Sequence, residues 1–417
     1  MSVIAKPIIL DETGQSLVTA IHRQNALLEV MATDQLDALT ENLHEIHHLV
    51  QNGYAQDIFN IGDQINVAWT DNSANPAKAY TAPLDIVHFG NVELLDGETV
   101  PGMFLQWHYA SPYGVQFSQY QAFWVNEAGS AIAGGNPLPA GTYNVRFGIN
   151  WGSNVKSNTI YKFTTTKAVP VGGMLTGFER APDVAPTTWR VKVYDASRTL
   201  LETVTVESTD SDTDGTNLGT FLATVNGELN SIQRVAYGDN NWSRSAVRQY
   251  LKSSAAAGAW WTPQSKWDMA PNELASRPGF LKGFTEEFLS CIQPVKIQTA
   301  SNTFTDGGVT DVTYDKVWLP SLEQIYCTPQ ARGIEGDYWE YWKRALEIES
   351  PAGTGPTNVY DAYKIFGIDN KSSAVYCRLR SAGRGYANGT WYVNSAGYVG
   401  IYSATYANRF APACVIC

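Results

Sequence analysis

The sequence predicts an α+β protein in three parts. These are an N-terminal helical segment over residues 1–55, a β-rich, sandwich-like region over 56–225, and a C-terminal α+β domain over 226–417. Three observations carry this reading. A long run of apolar residues at helical steps occurs only before residue 55. From Ile58, short apolar runs are separated by turn residues. Beyond Asn226, short helical patterns alternate with loops rich in glycine and aromatics.

Residues 15–50 form the one long helical stretch. Leu36, Leu39, Leu43, Ile46 and Val50 recur at steps of 3, 4, 3 and 4, an a/d seam, with Thr33-Asp34 placed as its N-cap. Two heptads are too short for a coiled coil that stands alone. The segment is therefore either an amphipathic helix packed on its own domain or an attachment and oligomerisation helix. In the middle region, Leu84–Phe89, Gly102–Trp107, Thr142–Phe147, Tyr161–Thr165 and Trp189–Tyr194 read as strands. Between them lie turn-rich stretches such as NPLPAG at 136–141. The segment ESTDSDTDGTN at 207–217 is a charged loop. In the last part Ser243–Leu251, Ser253–Ala259 and Thr285–Ile292 read as short helices, set among aromatic loops such as DYWEYW at 337–342. No tandem repeat of fixed period is present.

A formal net charge of −11 without clustered Lys and Arg removes the long-range attraction that nucleic-acid binding requires, so no nucleic-acid partner is expected. No apolar run reaches the roughly 18–20 residues that span a bilayer, and membrane insertion is not expected. The N-terminus, MSVIAKPIILDETG, lacks the basic and apolar regions of a signal peptide. Five cysteines at irregular spacing (Cys291, Cys327, Cys377, Cys414, Cys417) suggest buried thiols, with one bridge left open. The terminal CVIC has half of a zinc or redox motif, and its apolar surroundings suggest a strand tucked into a core.

All six histidines lie in the first 108 residues, so the rest of the chain cannot by itself supply a Ser-His-Asp triad or a His-ligated metal. His44 and His48 stand one turn apart on the helix and read as a solvated face. Asp210, Asp212, Asp214 and Gly215 begin a calcium loop, but its twelfth position is Phe221, where a bidentate Glu belongs. Phosphate-binding glycine motifs are absent. No cofactor, metal or catalytic residue is assigned, and the chain is read as a non-enzyme. Carboxylates such as Glu335, Asp337 and Glu340 leave an enzyme acting on surface glycans as a third reading.

Residues 383–410 differ in kind. Their 28 positions hold five Tyr, five Gly, four Ala, three Asn and two Ser, with no Asp, Glu, Lys, Gln, His, Met or Cys. Tyrosine offers wide amphipathic contact at small entropic cost, and Gly and Ser let it fit, the mixture used by antibody loops. The alternative is a Gly/Tyr-rich hairpin with no partner.

Trp242-Ser243-x-Ser245-Ala246-x-Arg248-x-x-Leu251, Trp261-Thr262-Pro263, Arg277-Pro278-Gly279-Phe280-Leu281, Thr305-Asp306-Gly307-Gly308, Leu319-Pro320-Ser321 and the closing RSAGRGYAN…RFAPACVIC together resemble an uncharacterised family of prophage and gut-phage proteins. The resemblance runs from about Ile58 to the end. The C-terminal half of that family is similar to the C-type-lectin-like fold of formylglycine-generating-enzyme type, which is shared with the variable proteins of diversity-generating retroelements. In those, adenines of AAC and AAT codons are rewritten, and the resulting residues never include Lys, Glu, Gln, Met or Trp. The resemblance thus implies a ligand-binding set of Gly383, Gly385, Tyr386, Asn388, Gly389, Asn394, Ala396, Tyr398, Gly400, Ile401, Tyr402, Ser403, Tyr406 and Asn408. Its scaffold would be Arg384, Ala387, Trp391, Val393, Gly397, Val399, Ala404 and Arg409. Enzymes on this fold oxidise a substrate cysteine with a cysteine pair; Cys414 and Cys417 have the wrong spacing and position for that role.

The expectation is a receptor- or ligand-binding protein of a phage virion, made in the bacterial cytoplasm and displayed on the particle surface. Its partners would be a host-surface protein or glycan, other virion proteins, and copies of itself in a homo-oligomer, a trimer being the expected form. The rival expectation is a structural capsid-decoration or tail protein.

Overall fold

A computed structural model of the chain describes residues 42–121, 140–146, 149–151, 154–155, 160–170, 174–175, 179–180, 189–195, 197, 199–208, 220–225, 228–231, 234, 237–265, 268–303, 306–326, 333–343, 362–385 and 387–417. The architecture is mixed, with few short helices and many antiparallel strands gathered in small sheets.

The first helix, α1 (Leu43–Gln51), is capped by Asn42, whose side chain accepts from the Glu45 N–H, and it buries Leu43, Ile46, Leu49 and Val50. Of the predicted seam, Leu43, Ile46 and Val50 therefore face the chain's own core. Leu36, Leu39 and the expected Thr33-Asp34 cap lie outside the described residues. Between the two readings of this helix, its described turns follow the packed one. His44 and His48 are exposed, while His47 Nε2 lies 2.8 Å from the Cys417 carbonyl oxygen.

Strand β1 (Gln64–Asp71) alternates outward and inward, burying Ile65, Val67 and Trp69, the pattern of a strand with one wet face. It pairs with β2 (Lys78–Glu93), which pairs with β3 (Thr99–Trp107). The C-terminal half contributes α2 (Ala246–Leu251), α3 (Glu286–Cys291), β4 (Val295–Ala300), β5 (Thr310–Asp315), β6 (Val317–Trp318), α4 (Leu322–Tyr326), β7 (Cys377–Ala382), β8 (Gly389–Val393), β9 (Val399–Ser403) and β10 (Ala413–Ile416). Strand β10 is buried throughout and lies between β3 and β6 in one five-stranded sheet ordered β1-β2-β3-β10-β6. The CVIC terminus is therefore a core strand.

This pairing runs across the expected boundary between 56–225 and 226–417. Strands β1–β3, assigned by pattern to a middle domain over 56–225, share a sheet and a core with the C-terminal region. Trp69 and Trp107 meet edge to face at 5.3 Å, Phe280 lies 5.3 Å from each, and Phe410 lies 5.9 Å from Phe280. The chain leaves this core at Gln121, whose N–H donates to the Arg234 carbonyl at 2.9 Å, the point of return. The described strands between these residues form separate antiparallel sheets, among them Gly141–Arg146, Ile160–Thr165, Trp189–Tyr194 and Leu200–Ser208 in a six-stranded one. The described strands from Gly141 to Ser231 thus lie in the chain between two halves of one core. Local pattern marks strands but carries no information about which distant strand completes a sheet.

The predicted helix at Ser253–Ala259 does not form. The Ser253 and Ala255 carbonyls accept from the Leu281 and Gly279 N–H groups at 3.0 and 2.9 Å, so the backbone is bonded across the fold. Thr285 caps α3 with its hydroxyl on the Phe288 N–H, where the third predicted helix was placed.

Candidate ligand-binding face

Strands β7, β8 and β9 form an antiparallel sheet near the C-terminus, with Thr390 opposite Tyr402, Tyr392 opposite Gly400 and Arg378 opposite Tyr392. These partners share one face, because successive side chains alternate across a strand. Asn394 closes the β8–β9 turn. Its Oδ1 accepts from the Ala396 and Tyr398 N–H groups at 2.8 and 3.0 Å, and Gly397 takes φ 86°, a left-handed conformation that suits glycine.

On that face four rings run in contact. Tyr376 stacks on Tyr392 at 5.4 Å and 24°, Tyr392 meets Tyr402 at 5.6 Å, and Tyr402 meets Tyr406 at 4.2 Å. Tyr376, Tyr402 and Tyr406 are 43%, 37% and 50% exposed, and Tyr398, at the hairpin end, is 49% exposed. The Tyr392 ring covers Gly400, where a Cβ would come within 3.1–3.2 Å of it. The hydrogen bond to Tyr406 raises the Tyr402 phenol above its ordinary value, with burial adding to it.

The frame is held by Arg378. Its guanidinium is buried and donates to the carbonyls of Thr390, Tyr402, Ser403 and Tyr406 at 3.4, 3.2, 3.0 and 3.1 Å, and to the Thr390 hydroxyl. Burial pushes it down to about 9, against the opposing pull of Tyr392 and Tyr402. One planar fork thereby ties β8, β9 and the turn after β9 to β7. Behind the other end of the sheet, Arg234 and Arg244 interlock with Asp239 and Asp306 at 2.6–3.1 Å, and Arg234 Nε donates to the Ala387 carbonyl.

The predicted set divides on this geometry. Tyr398, Tyr402, Tyr406, Gly385 and Ala396 are exposed, and Asn388, Asn394, Gly400, Ile401 and Ser403 are partly so. Three members are buried and serve the frame instead. The Gly383 N–H donates to the Gly389 carbonyl at 2.7 Å, and the Asn240 side chain donates to both their carbonyls. Asn408 lies against Gly114, where an added Cβ would stand 1.8 Å from the Ala407 oxygen. Asn394 is engaged in its turn. Tyr386 lies outside the described residues. Of the scaffold set, Ala387, Val393, Gly397 and Ala404 are buried, while Arg384, Trp391, Val399 and Arg409 are partly exposed.

Sequence reasoning missed Tyr376, Tyr392 and Arg378. Tyr392 was findable from its parity with Thr390 in a strand. Tyr376 lies outside the chosen window and joins the face through a ring contact with another strand. Among the described residues no group of three or more His, Cys, Asp or Glu converges as a metal site, and no helix is long and apolar enough to cross a membrane. The Asp210–Gly215 segment lies outside the described residues. Cys291, Cys377, Cys414 and Cys417 are free and buried.

No curated protein and no solved structure matches the chain. Residues 197–416 match a family described as a domain of unknown function, DUF6273. The last strand of the matched span, β10, pairs with β3, which lies before it in the chain. With more than half of its length matched in this way, the chain belongs to the DUF6273 family.

Proposed function

We propose that this chain is a binding protein, and that the tyrosine run of the β7–β8–β9 sheet is the face that meets its ligand. The contact of Tyr376, Tyr392, Tyr402 and Tyr406, on strands that the buried Arg378 ties together, carries this reading. Large amphipathic rings on a rigid support give contact area at low entropic cost and supply interface hot spots. A neutral phenol surface also avoids the desolvation cost of burying charge in a complex.

In the fuller form of the proposal, the C-terminal half is a C-type-lectin-like domain related to the variable proteins of retroelements. The chain then works on a bacteriophage virion, where it binds a host-surface protein or glycan. Support comes from the composition of 383–410 and from the exposure of Tyr398, Tyr402 and Tyr406, all residues that adenine-directed rewriting yields. Several copies on one particle, in a trimer for example, would multiply weak single sites.

The test is adsorption of labelled full-length chain to cells of the bacterium whose genome carries the gene. The variant Tyr376→Ala/Tyr402→Ala/Tyr406→Ala is expected to lose most of the bound signal while keeping its fold by circular dichroism. Undiminished adsorption of that variant rejects the face. Diversification has a separate genomic test, a near-copy of codons 380–417 that differs only at adenines, beside a reverse-transcriptase gene.

A further inference from the structure

A second concavity lies between the far half of β2, strand β4 and the 335–339 turn. It is a half-open cleft of about 220 Å³, lined by His88, Phe104, Gln298, Gln324, Asp337 and Trp339 among others. By volume it holds about seven waters at roughly 30 Å³ each. None of the residues of the tyrosine run lines it.

Its most specific feature is His88. The β2–β3 register shifts between Ile86, opposite Leu105, and His88, opposite Phe104, so Val87 is an extra, buried residue. A bulge of this kind re-aims the following side chain, and bulges concentrate near functional sites. The imidazole lies 5.4 Å from the Phe104 ring, and its Nδ1 is buried without a hydrogen-bond partner. Burial lowers its pKa, opposed by Asp337 and Glu340, which keeps the ring neutral. A neutral imidazole has one donor and one acceptor nitrogen.

Of the charged residues that line the cleft, Glu93, Lys296, Glu335 and Arg380 are engaged, while Asp337 is exposed. Lys296 pairs with Glu93 at 2.8 Å. Arg380 donates to the Leu319 carbonyl at 3.0 Å, to Gln324 Oε1 at 2.6 Å and to the Glu335 carbonyl. Glu335 is raised by burial, against the pull of Arg380, and accepts from the Ala300 N–H and the Ser381 hydroxyl. What lines the open part, besides the Asp337 carboxylate, is a set of neutral groups that both donate and accept, the exposed amides of Gln298 and Asn91 and the His88 ring, beside the apolar walls of Phe104 and Trp339. The left-handed Gly336, φ 107°, lets its turn approach Gln324 closely enough to close one end.

We infer that this cleft is a second binding site, for a neutral polyhydroxylated molecule of monosaccharide size, with His88 as its central hydrogen-bonding group. Hydroxyls match amides and a neutral imidazole because each both gives and takes a hydrogen bond. The C–H face of a sugar ring suits the aromatic wall. The same chemistry is offered by a free monosaccharide and by the end of a glycan.

The experiment is saturation-transfer NMR on the full-length chain with D-glucose, D-galactose, N-acetyl-D-glucosamine and maltotriose. Transfer from at least one sugar is expected, falling about tenfold in His88→Phe, the effect of losing one hydrogen-bonding group. It should fall as much in Gln298→Trp, an exposed strand position whose larger ring fills the mouth; this variant decides the matter if His88→Phe does not fold. Transfer confined to the terminal ring of maltotriose identifies a glycan end, and transfer from free monosaccharides alone identifies a small solute; either supports the site. Absence of transfer from all four sugars overturns it. So does transfer that survives Gln298→Trp, or that is lost in the Tyr376→Ala/Tyr402→Ala/Tyr406→Ala variant, which would move sugar binding to the tyrosine face.

Discussion

The Nη1 of Arg378 donates to the Tyr402 carbonyl at 3.2 Å, tying a buried guanidinium to the backbone of an exposed tyrosine. Four backbone carbonyls from three segments converge on that one side chain. The shape of the tyrosine face therefore depends on a residue that takes no part in its surface.

Replacing Arg378 with Met keeps apolar bulk but removes one donor from each of those carbonyls, of which Ser403 and Tyr406 keep the N–H groups of Tyr406 and Asn408. Each buried, unsatisfied polar group costs about 1–3 kcal/mol, and partial relaxation brings the expected total to about 3 kcal/mol. Urea unfolding should show that loss, and hydrogen exchange should show faster opening of the β9 amides than of the β2 amides.

Asp85 is buried beside Lys364 and His108. Burial alone would raise its carboxyl, but the Lys364 ammonium and the hydrogen bonds from His108 and Lys364 outweigh it and hold the group down to about 2. A pKa depressed in the folded state gives stability that is present above the ordinary value near 4. That stability is lost as pH falls through the folded value near 2. The contribution is about 2 kcal/mol. Asp85→Asn should be less stable than the parent at neutral pH by about 3 kcal/mol, since Lys364 is left buried without its partner. The difference between the two should shrink between about pH 4 and pH 2 in denaturant titrations. A constant difference across that window would remove the assigned role.

The backbone contact of Gln121 with Arg234 implies that the intervening β-rich insertion is dispensable to the core. A chain with 122–233 replaced by a short Gly/Ser linker should stay folded and show near-parental protection of β1–β3 and β10. Aggregation or loss of cooperative unfolding would make the insertion part of the core.

Burial pushes the Cys377 thiol up to about 12, and raises those of Cys291, Cys414 and Cys417 as well. Thiolate is the reactive form, so these four should resist a disulfide reagent until the chain unfolds. Measured on Cys327→Ser, native protein should release almost no thiol signal, and unfolded protein should release the full amount.

Gly114→Ala should cost about 1–3 kcal/mol, because the added methyl meets the Ala407 backbone, which cannot step aside. Gly400→Ala meets only the Tyr392 ring and should cost less, while displacing that ring from the run.

Much was legible before any tertiary information. The strand runs at Leu84–Phe89 and Gly102–Trp107, the helical spacing of Leu43, Ile46 and Val50, the helix placed at Thr285–Ile292 and the apolar CVIC strand are local consequences of residue type and period, and period survives in one dimension. The tyrosine-rich window was likewise visible as composition, and Tyr398, Tyr402 and Tyr406 in it are exposed. Composition could not separate them from Gly383, Gly389 and Asn408, because burial depends on what lies opposite.

Tertiary structure alone decided the rest. It joined β10 to β3, left the strands from Gly141 to Ser231 in separate sheets, and set Tyr376 against Tyr392 and Arg378 on the Tyr402 carbonyl. It also carried His88 from the N-terminal part of the chain to a cleft shared with Asp337 and Trp339, although every histidine lies before residue 109. Contacts of this kind are fixed by the closing of one hydrophobic core around distant segments, which no local periodicity encodes.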